Sequence, residues 1–108
     1  MTAPTPVLDT LADITAVSIQ HNSLTPRDFM LARIAALIAM DAPPASYVAN
    51  AEVAAESGVT SGDIEGVMIA VAPVVGTARV MSAAGKILRA LDVAIAVADS
   101  EMLDTAGQ

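Results

Sequence analysis

The segment GVTSGDI, residues 58–64, indicates the fold, because it ends one helix and begins the next. Gly58 can adopt the left-handed backbone conformation that ends a helix without steric cost. Thr60 suits the N-cap of the following helix, and Asp63 lies three residues later, where a carboxylate faces the positive end of the helix dipole. Two helices are therefore predicted to meet at this turn.

The same start pattern occurs 35 residues upstream, where Thr25 can cap a helix that begins at Pro26 and carries Asp28 in its first turn. Apolar residues recur at helical spacing along the chain, and no stretch alternates long enough to predict a strand. The sequence thus predicts an all-α protein of about five helices. They run from Pro6 to about Asn22, from Pro26 to Ala42 at the latest, from about Pro44 to Ser57, from Thr60 to about Ala72 before Pro73, and from about Thr77 to Met102.

The composition predicts close helix packing and self-assembly. The chain has 108 residues, of which 55% are hydrophobic and only 2% aromatic, and 23 are alanines. We expect one domain over residues 1–108, too small to bury so much apolar surface by itself. The fifth helix, about 39 Å long if it reaches Met102, exceeds what such a domain needs for its own core. Copies of the chain are therefore the expected partners, with a dedicated protein partner on the fifth helix as a further option.

The charge excludes two classes of partner. A net charge of −7 has the wrong sign for nucleic acid or an anionic membrane, and the acidic residues continue into a tail at about 99–108. No run of about 18 uncharged apolar residues predicts a membrane span, and the segment Met1 to Pro6 does not resemble a secretory signal. We expect a cytoplasmic protein.

The absence of cysteine excludes disulfides, thiolate metal sites and thiol peroxidase chemistry. With His21 as the single histidine, no histidine-based metal site can form within one chain, and the residue suits a helix C-terminus. No phosphate loop, nucleotide fingerprint or Ser-His-Asp set is present. We expect neither metal nor cofactor.

The GVT turn, the Asp63-Ile64 pair that follows it and the break at Gly76 together resemble the carboxymuconolactone decarboxylase and alkylhydroperoxidase D-like family. The resemblance covers about residues 24–92. It implies an orthogonal all-α bundle whose helices are completed by assembly into trimers or hexamers.

The same resemblance implies that the family's redox site is missing. The alkylhydroperoxidase D-like branch has a Cys-x-x-Cys-x-x-x-His motif before the GVT turn, and here Pro43, Ser46 and Asn50 occupy those three positions. Asparagine does not exchange protons near neutral pH, and a serine hydroxyl does not form disulfides. The decarboxylase branch keeps the histidine, so Asn50 also counts against that activity.

Four residues are candidates for a pocket. Ser46, Tyr47 and Asn50 share one sector of the third helix and could bind a small ligand by hydrogen bonds, or could simply satisfy local packing. Arg33, the one charge in an apolar helix, needs a carboxylate or an anionic ligand; a salt bridge within or between subunits, for example to Asp41 or Asp63, is the expected partner.

Other charged residues have structural interpretations beside functional ones. Glu52 and Glu56 lie four apart and could support acid–base chemistry or bind a cation, but a solvated helix face explains them as well. Arg79, Lys86 and Arg89 are expected to pair with acids of a neighbouring subunit.

Two functional hypotheses follow. The first is a non-redox, oligomeric member of the family, a pseudoenzyme that serves as a structural or small-ligand-binding assembly. The alternative is a thiol-independent decarboxylase or isomerase of a small carboxylated or lactone substrate, in which Arg33 binds the anion and Tyr47 or Asn50 polarises the reacting group.

Overall fold

The structure is a computed structural model that describes the backbone of residues 4–106 and the side chains of residues 4–91. Five α-helices follow one another: α1 Pro6–His21, α2 Pro26–Ala39, α3 Pro44–Glu56, α4 Ser61–Val75 and α5 Thr77–Ala106. The described residues contain no strand. The prediction of an all-α chain with five helices is confirmed.

The two predicted helix starts are built by side-chain caps. The Thr25 hydroxyl accepts a hydrogen bond of 3.1 Å from the Asp28 amide. At α4 the cap is reciprocal, because the Thr60 hydroxyl accepts from the Asp63 amide at 3.1 Å while the Asp63 carboxylate accepts from the Thr60 amide at 2.9 Å. Gly58 has a φ of +84°, the conformation expected of a residue that ends a helix. These local contacts set the ends of α2, α3 and α4.

Helix α4 corrects one predicted boundary, because it continues through Pro73 to Val75. Proline has a φ close to the helical value and costs the last turn only one amide hydrogen bond, so two further residues can follow it. Gly76, with a φ of +92°, then ends the helix, and its amide donates to the Ala72 carbonyl at 3.0 Å.

Helix α5 is longer than predicted, at 30 residues instead of about 26. The segment expected as an acidic tail from about residue 99 is helical as far as Ala106. The last two residues of that expected tail lie outside the described residues, as do the first three residues of the Met1 to Pro6 segment.

Helix α2 lies at the centre of the packing and contacts α3, α4 and α5. Its residues Met30, Ile34 and Ile38 follow one another at four-residue spacing and are 1%, 5% and 0% exposed. Against them lie Tyr47 of α3 and the small side chain Ala83 of α5, which are also buried. Methyl-sized side chains at the contact let helices approach closely, as the alanine-rich composition predicts.

The turn between α2 and α3 ties α5 to the core. Asp41 has a φ of +53°, and its carboxylate accepts hydrogen bonds from Lys86 at 2.8 Å and Ser82 at 2.7 Å. These bonds to the charged form lower the pKa of Asp41. Arg79 donates to the Ala39 carbonyl at the end of α2.

Arg79 and Lys86, which were expected to pair with acids of a neighbouring subunit, both have acceptors within the chain at the end of α2 and in the turn after it. Their pairing with another subunit stays a prediction. Arg89 is exposed, and its pairing stays a prediction.

Helix α1 packs differently from the other four. None of its residues is buried, and over the described residues its backbone lies apart from the backbones of α2–α5. Its apolar residues therefore face solvent in the single chain.

Within the described part of the chain, no helix combines the length and apolarity that crossing a bilayer requires.

Candidate functional site

A cavity of about 630 Å³ lies between α2, α3, α4 and α5. Its walls are mainly aliphatic, and they include Ile34 and Leu37 of α2, Ile64 and Met68 of α4, and Ile87 and Leu91 of α5. Few polar residues line it: Tyr47 and Asn50 on α3, and Ser61 and Glu65 on α4. A largely apolar cavity of this size with a few polar groups is typical of small-molecule binding sites.

Among the residues that line the cavity, Tyr47 carries the most unusual polar atom. The residue is only 6% exposed, and its hydroxyl is buried without a hydrogen-bond partner among the described residues. Burial raises the pKa of Tyr47, and the nearby Asp41 carboxylate raises it further, since both disfavour the phenolate. Tyr47 therefore stays protonated and offers one O–H donor.

Asn50 lies three residues further along the same face of α3 and also lines the cavity. Its side-chain oxygen accepts from the Arg33 guanidinium at 3.3 Å, and its nitrogen donates to the Ser46 carbonyl at 2.7 Å. An amide nitrogen carries two hydrogens, so one donor remains for a further acceptor. The α3 residues of the cavity wall thus carry two donors, of which the Tyr47 hydroxyl lies beneath the cavity surface.

Arg33 acts on the cavity through Asn50 and is not one of its lining residues. The guanidinium is half-buried and lies over the Phe29 ring, 4.7 Å from its centroid. Such a contact with an aromatic face stabilises a partly desolvated cation.

The expected salt bridge from Arg33 to Asp41 or Asp63 does not form within the chain, because each acid has a nearer cation. Asp41 pairs with Lys86, and Asp63 with Arg27 at 2.6 Å. The hydrogen bonds from Thr60, together with Arg27, lower the pKa of Asp63. Among residues with described side chains, Arg33 has no carboxylate within 4.0 Å.

The four candidate residues are therefore neighbours with different roles. Tyr47 and Asn50 line the cavity, whereas Arg33 and the Ser46 carbonyl hold the Asn50 amide in place. That this set binds a ligand stays a prediction.

The sequence interpretation missed the opposite wall of the cavity. Ser61, Ile64, Glu65 and Met68 line it from α4, spaced by three and four residues. This spacing places them on one helix face, which is a signal that the sequence itself carries.

The remaining sequence candidates lie apart from the cavity. His21 is exposed in the last turn of α1, and Glu52 and Glu56 are exposed on α3. Within the described residues, no three acidic, cysteine or histidine side chains are grouped so as to hold a metal ion.

The model of the carboxymuconolactone decarboxylase family matches residues 6–98, which include α1 as well as the segment that carries the quoted motifs. No curated protein and no solved structure matches the chain. Since the match covers most of the sequence, the chain belongs to the carboxymuconolactone decarboxylase family.

Proposed function

We propose that this protein is a non-redox member of its family that binds a small, mainly aliphatic molecule in the cavity between α2, α3, α4 and α5. We further propose that it works as a cytoplasmic homo-oligomer, a trimer or hexamer. The observation that carries the proposal is the buried Tyr47 hydroxyl, which lacks a partner among the described residues although its residue lines a cavity of about 630 Å³. An unsatisfied buried hydroxyl costs stability, and a small shift of the Tyr47 side chain that lets a ligand in the cavity accept its hydrogen bond would recover that cost.

The hydrogen-bond donors on α3 that have no acceptor among the described residues indicate the chemistry of the ligand. Tyr47 and Asn50 both offer donors, and the acceptor oxygen of Asn50 already binds Arg33. The hydrogen bond from a cation further polarises the Asn50 amide and strengthens its remaining donor. The polar end of the ligand should therefore be an acceptor, a carbonyl or carboxylate oxygen, and the rest of it aliphatic.

The carboxylate of Glu65 on the opposite wall is compatible with a ligand whose polar end is a hydrogen-bond acceptor. Glu65 is exposed and lies on α4, whereas both donors lie on α3. A carboxylate bound at the α3 wall meets donor groups and the nearby Arg33 charge.

The test uses two probes of equal chain length, octanoate and octylammonium, titrated calorimetrically into the full chain. Octanoate should bind with a Kd on the order of 0.1 to 1 mM, as expected for a ligand of about ten heavy atoms, and octylammonium at least several-fold more weakly. Equal affinities, or no binding of either probe, would refute the proposal.

A matched pair of variants locates the binding. Ala84→Leu adds bulk to a residue that lines the cavity and should abolish octanoate binding. Ala78→Leu adds the same bulk at an exposed position of the same helix and should leave the affinity unchanged. Loss of binding in both variants would place the probe elsewhere.

The decarboxylase or isomerase hypothesis draws on the same hydroxyl, because a protonated Tyr47 could polarise a substrate carbonyl. We favour binding because acid–base catalysis is most efficient with a group whose pKa lies near the operating pH, and burial moves the pKa of Tyr47 further above neutrality. Turnover of a carboxylated lactone that is lost in Tyr47→Phe would support the enzyme instead.

A further inference from the structure

Helix α1 has an apolar face that the rest of the described chain leaves open. This α1 face consists of six residues, each between 52% and 70% exposed: Val7, Leu8, Leu11, Ile14, Val17 and Ile19. At 100° per residue they spread over about 200° of the helix circumference, and Asp9, Asp13 and Gln20 fall on the remaining side. Four polar residues lie within the apolar arc: Thr10, Thr15, Ser18 and His21.

The size of the α1 face is that of an interface. Six half-exposed aliphatic side chains present on the order of 600 Å² of apolar surface, at the upper end of the roughly 300 to 600 Å² of the largest patch on a typical monomer, and such patches are often functional. Each partner of a stable complex buries about 800 Å², so the α1 face with its immediate surroundings is large enough to hold two molecules together.

Those surroundings form a corner between α1 and α2. The Asn22 side chain donates to the Ser18 and Ile19 carbonyls at 3.0 and 2.9 Å and accepts from the Leu24 amide at 3.0 Å. Because Thr25 caps α2 directly afterwards, the link between the helices is short and hydrogen-bonded.

A crevice of about 120 Å³ lies in this corner, lined in part by Ile19, Leu24, Phe29 and Val53. Leu24 and Val53 are 50% and 45% exposed. Since Ile19 belongs to both, the α1 face and the crevice form one continuous apolar surface.

The charged residues of α1 favour a second copy of the chain over an anionic lipid surface as the partner. The helix carries no lysine or arginine, whereas helices that lie on anionic lipid surfaces carry them on their polar side. A second copy brings an equally apolar face, and in a face-to-face pair Asp9 and Asp13 of each copy point to solvent, so that no like charges meet.

We propose that two copies of this chain pair through α1: the α1 helices pack antiparallel, face to face, and each extends toward the crevice of the other copy. The surface is self-complementary, as a two-fold interface requires. This inference goes beyond the proposed function, which leaves the assembly surface undefined, and it predicts an even number of chains, hence a hexamer in preference to a trimer.

Light scattering on three forms of the full chain tests the pairing. The wild type should have a mass that is an even multiple of 10.9 kDa. Ile14→Glu places a charge in the α1 face and should reduce the mass at least twofold. Gln20→Glu adds the same charge on the opposite side of the helix and should keep the wild-type mass.

A wild-type monomer or odd-numbered assembly would overturn the pairing, as would an unchanged mass for Ile14→Glu or an equal loss in Gln20→Glu. An assembly that both variants preserve would overturn the α1 pairing alone and leave the proposed homo-oligomer standing.

Single-cysteine variants give a second measurement that does not require a destabilising charge. Because the chain has no cysteine of its own, any disulfide must come from the introduced residue. Ile14 lies near the middle of α1, where an antiparallel pair brings equivalent residues together, so Ile14→Cys should form a disulfide-linked dimer under mild oxidation. Gln20→Cys should stay largely uncrosslinked, and equal crosslinking of the two would contradict the geometry.

Discussion

Helices α1 and α2 have similar starting sequences but lie in opposite surroundings, one exposed and the other buried. Each starts with Thr-Pro and carries a row of aliphatic residues, but the α2 residues Ile34 and Ile38 are almost fully buried, whereas Ile14 of α1 is 60% exposed. Helix α2 therefore gains its stability from packing within the chain. Helix α1 has no buried residue, so packing within the chain contributes little to its stability, and at 16 residues it is close to the length at which isolated helices are marginal in water.

The largest difference in stability should come from replacing an isoleucine with alanine in α2 and, for comparison, in α1. Ile38→Ala removes a fully buried side chain and should lower the free energy of unfolding by about 3 kcal/mol, through lost transfer energy and the cavity left behind. Ile14→Ala should change it by about 0.5 kcal/mol or less when copies are too dilute to associate. Urea denaturation at low and high protein concentration measures both. Similar losses at low concentration would mean that α1 packs on its own core.

A smaller difference in stability should distinguish the N-cap of α4 from that of α1. Thr60→Ala removes the hydroxyl that accepts from the Asp63 amide and should cost about 1 kcal/mol. Thr5→Ala is the matched control, because the Thr5 side chain makes no capping hydrogen bond to the α1 backbone, and its cost should be below about 0.5 kcal/mol. Thermal unfolding of the two variants gives the comparison, and equal costs would contradict the difference between the two caps.

The acid sensitivity of the core should depend on Asp41 and Asp63. Both have pKa values lowered in the folded chain, by Lys86 and Ser82 at Asp41 and chiefly by Thr60 at Asp63. The unfolded state therefore binds protons more readily, so this stabilisation is present above the unfolded pKa of about 3.8 and is lost as the pH falls through the folded values.

The double variant Asp41→Asn, Asp63→Asn should be less stable near neutral pH and should lose less stability on acidification than the wild type. Urea midpoints measured between about pH 7 and about pH 3 test this. Asp13→Asn on α1 is the control, because that helix lies off the core. A double variant with the wild-type acid dependence would contradict the assignment.

Local features of the fold could be predicted from the sequence because they depend on neighbouring residues. The Thr60 and Asp63 cap, the Gly58 helix end and the number of helices all follow from short-range geometry. The end of α4 was misplaced, because a proline in a last turn costs too little to stop a helix.

The site could be predicted only in part. The spacing of Tyr47 and Asn50 placed them on one face of α3, and the structure places both in the cavity wall. The partner of Arg33 could not be predicted, because Asp41 and Asp63 pair with other cations. Those pairs depend on the tertiary packing of residues far apart in sequence. The absence of a hydrogen-bond partner for the Tyr47 hydroxyl likewise becomes visible only when the surrounding helices are in place.

The most direct test of the ligand site is Tyr47→Phe, measured for stability and for octanoate binding in the same preparation. Removing an unpartnered buried hydroxyl should raise the free energy of unfolding of the ligand-free protein by up to about 1 kcal/mol, and losing the donor should weaken octanoate binding about three- to tenfold. Gain of stability with loss of affinity is the predicted result. A variant that is less stable than the wild type, or that binds octanoate equally well, would contradict the account.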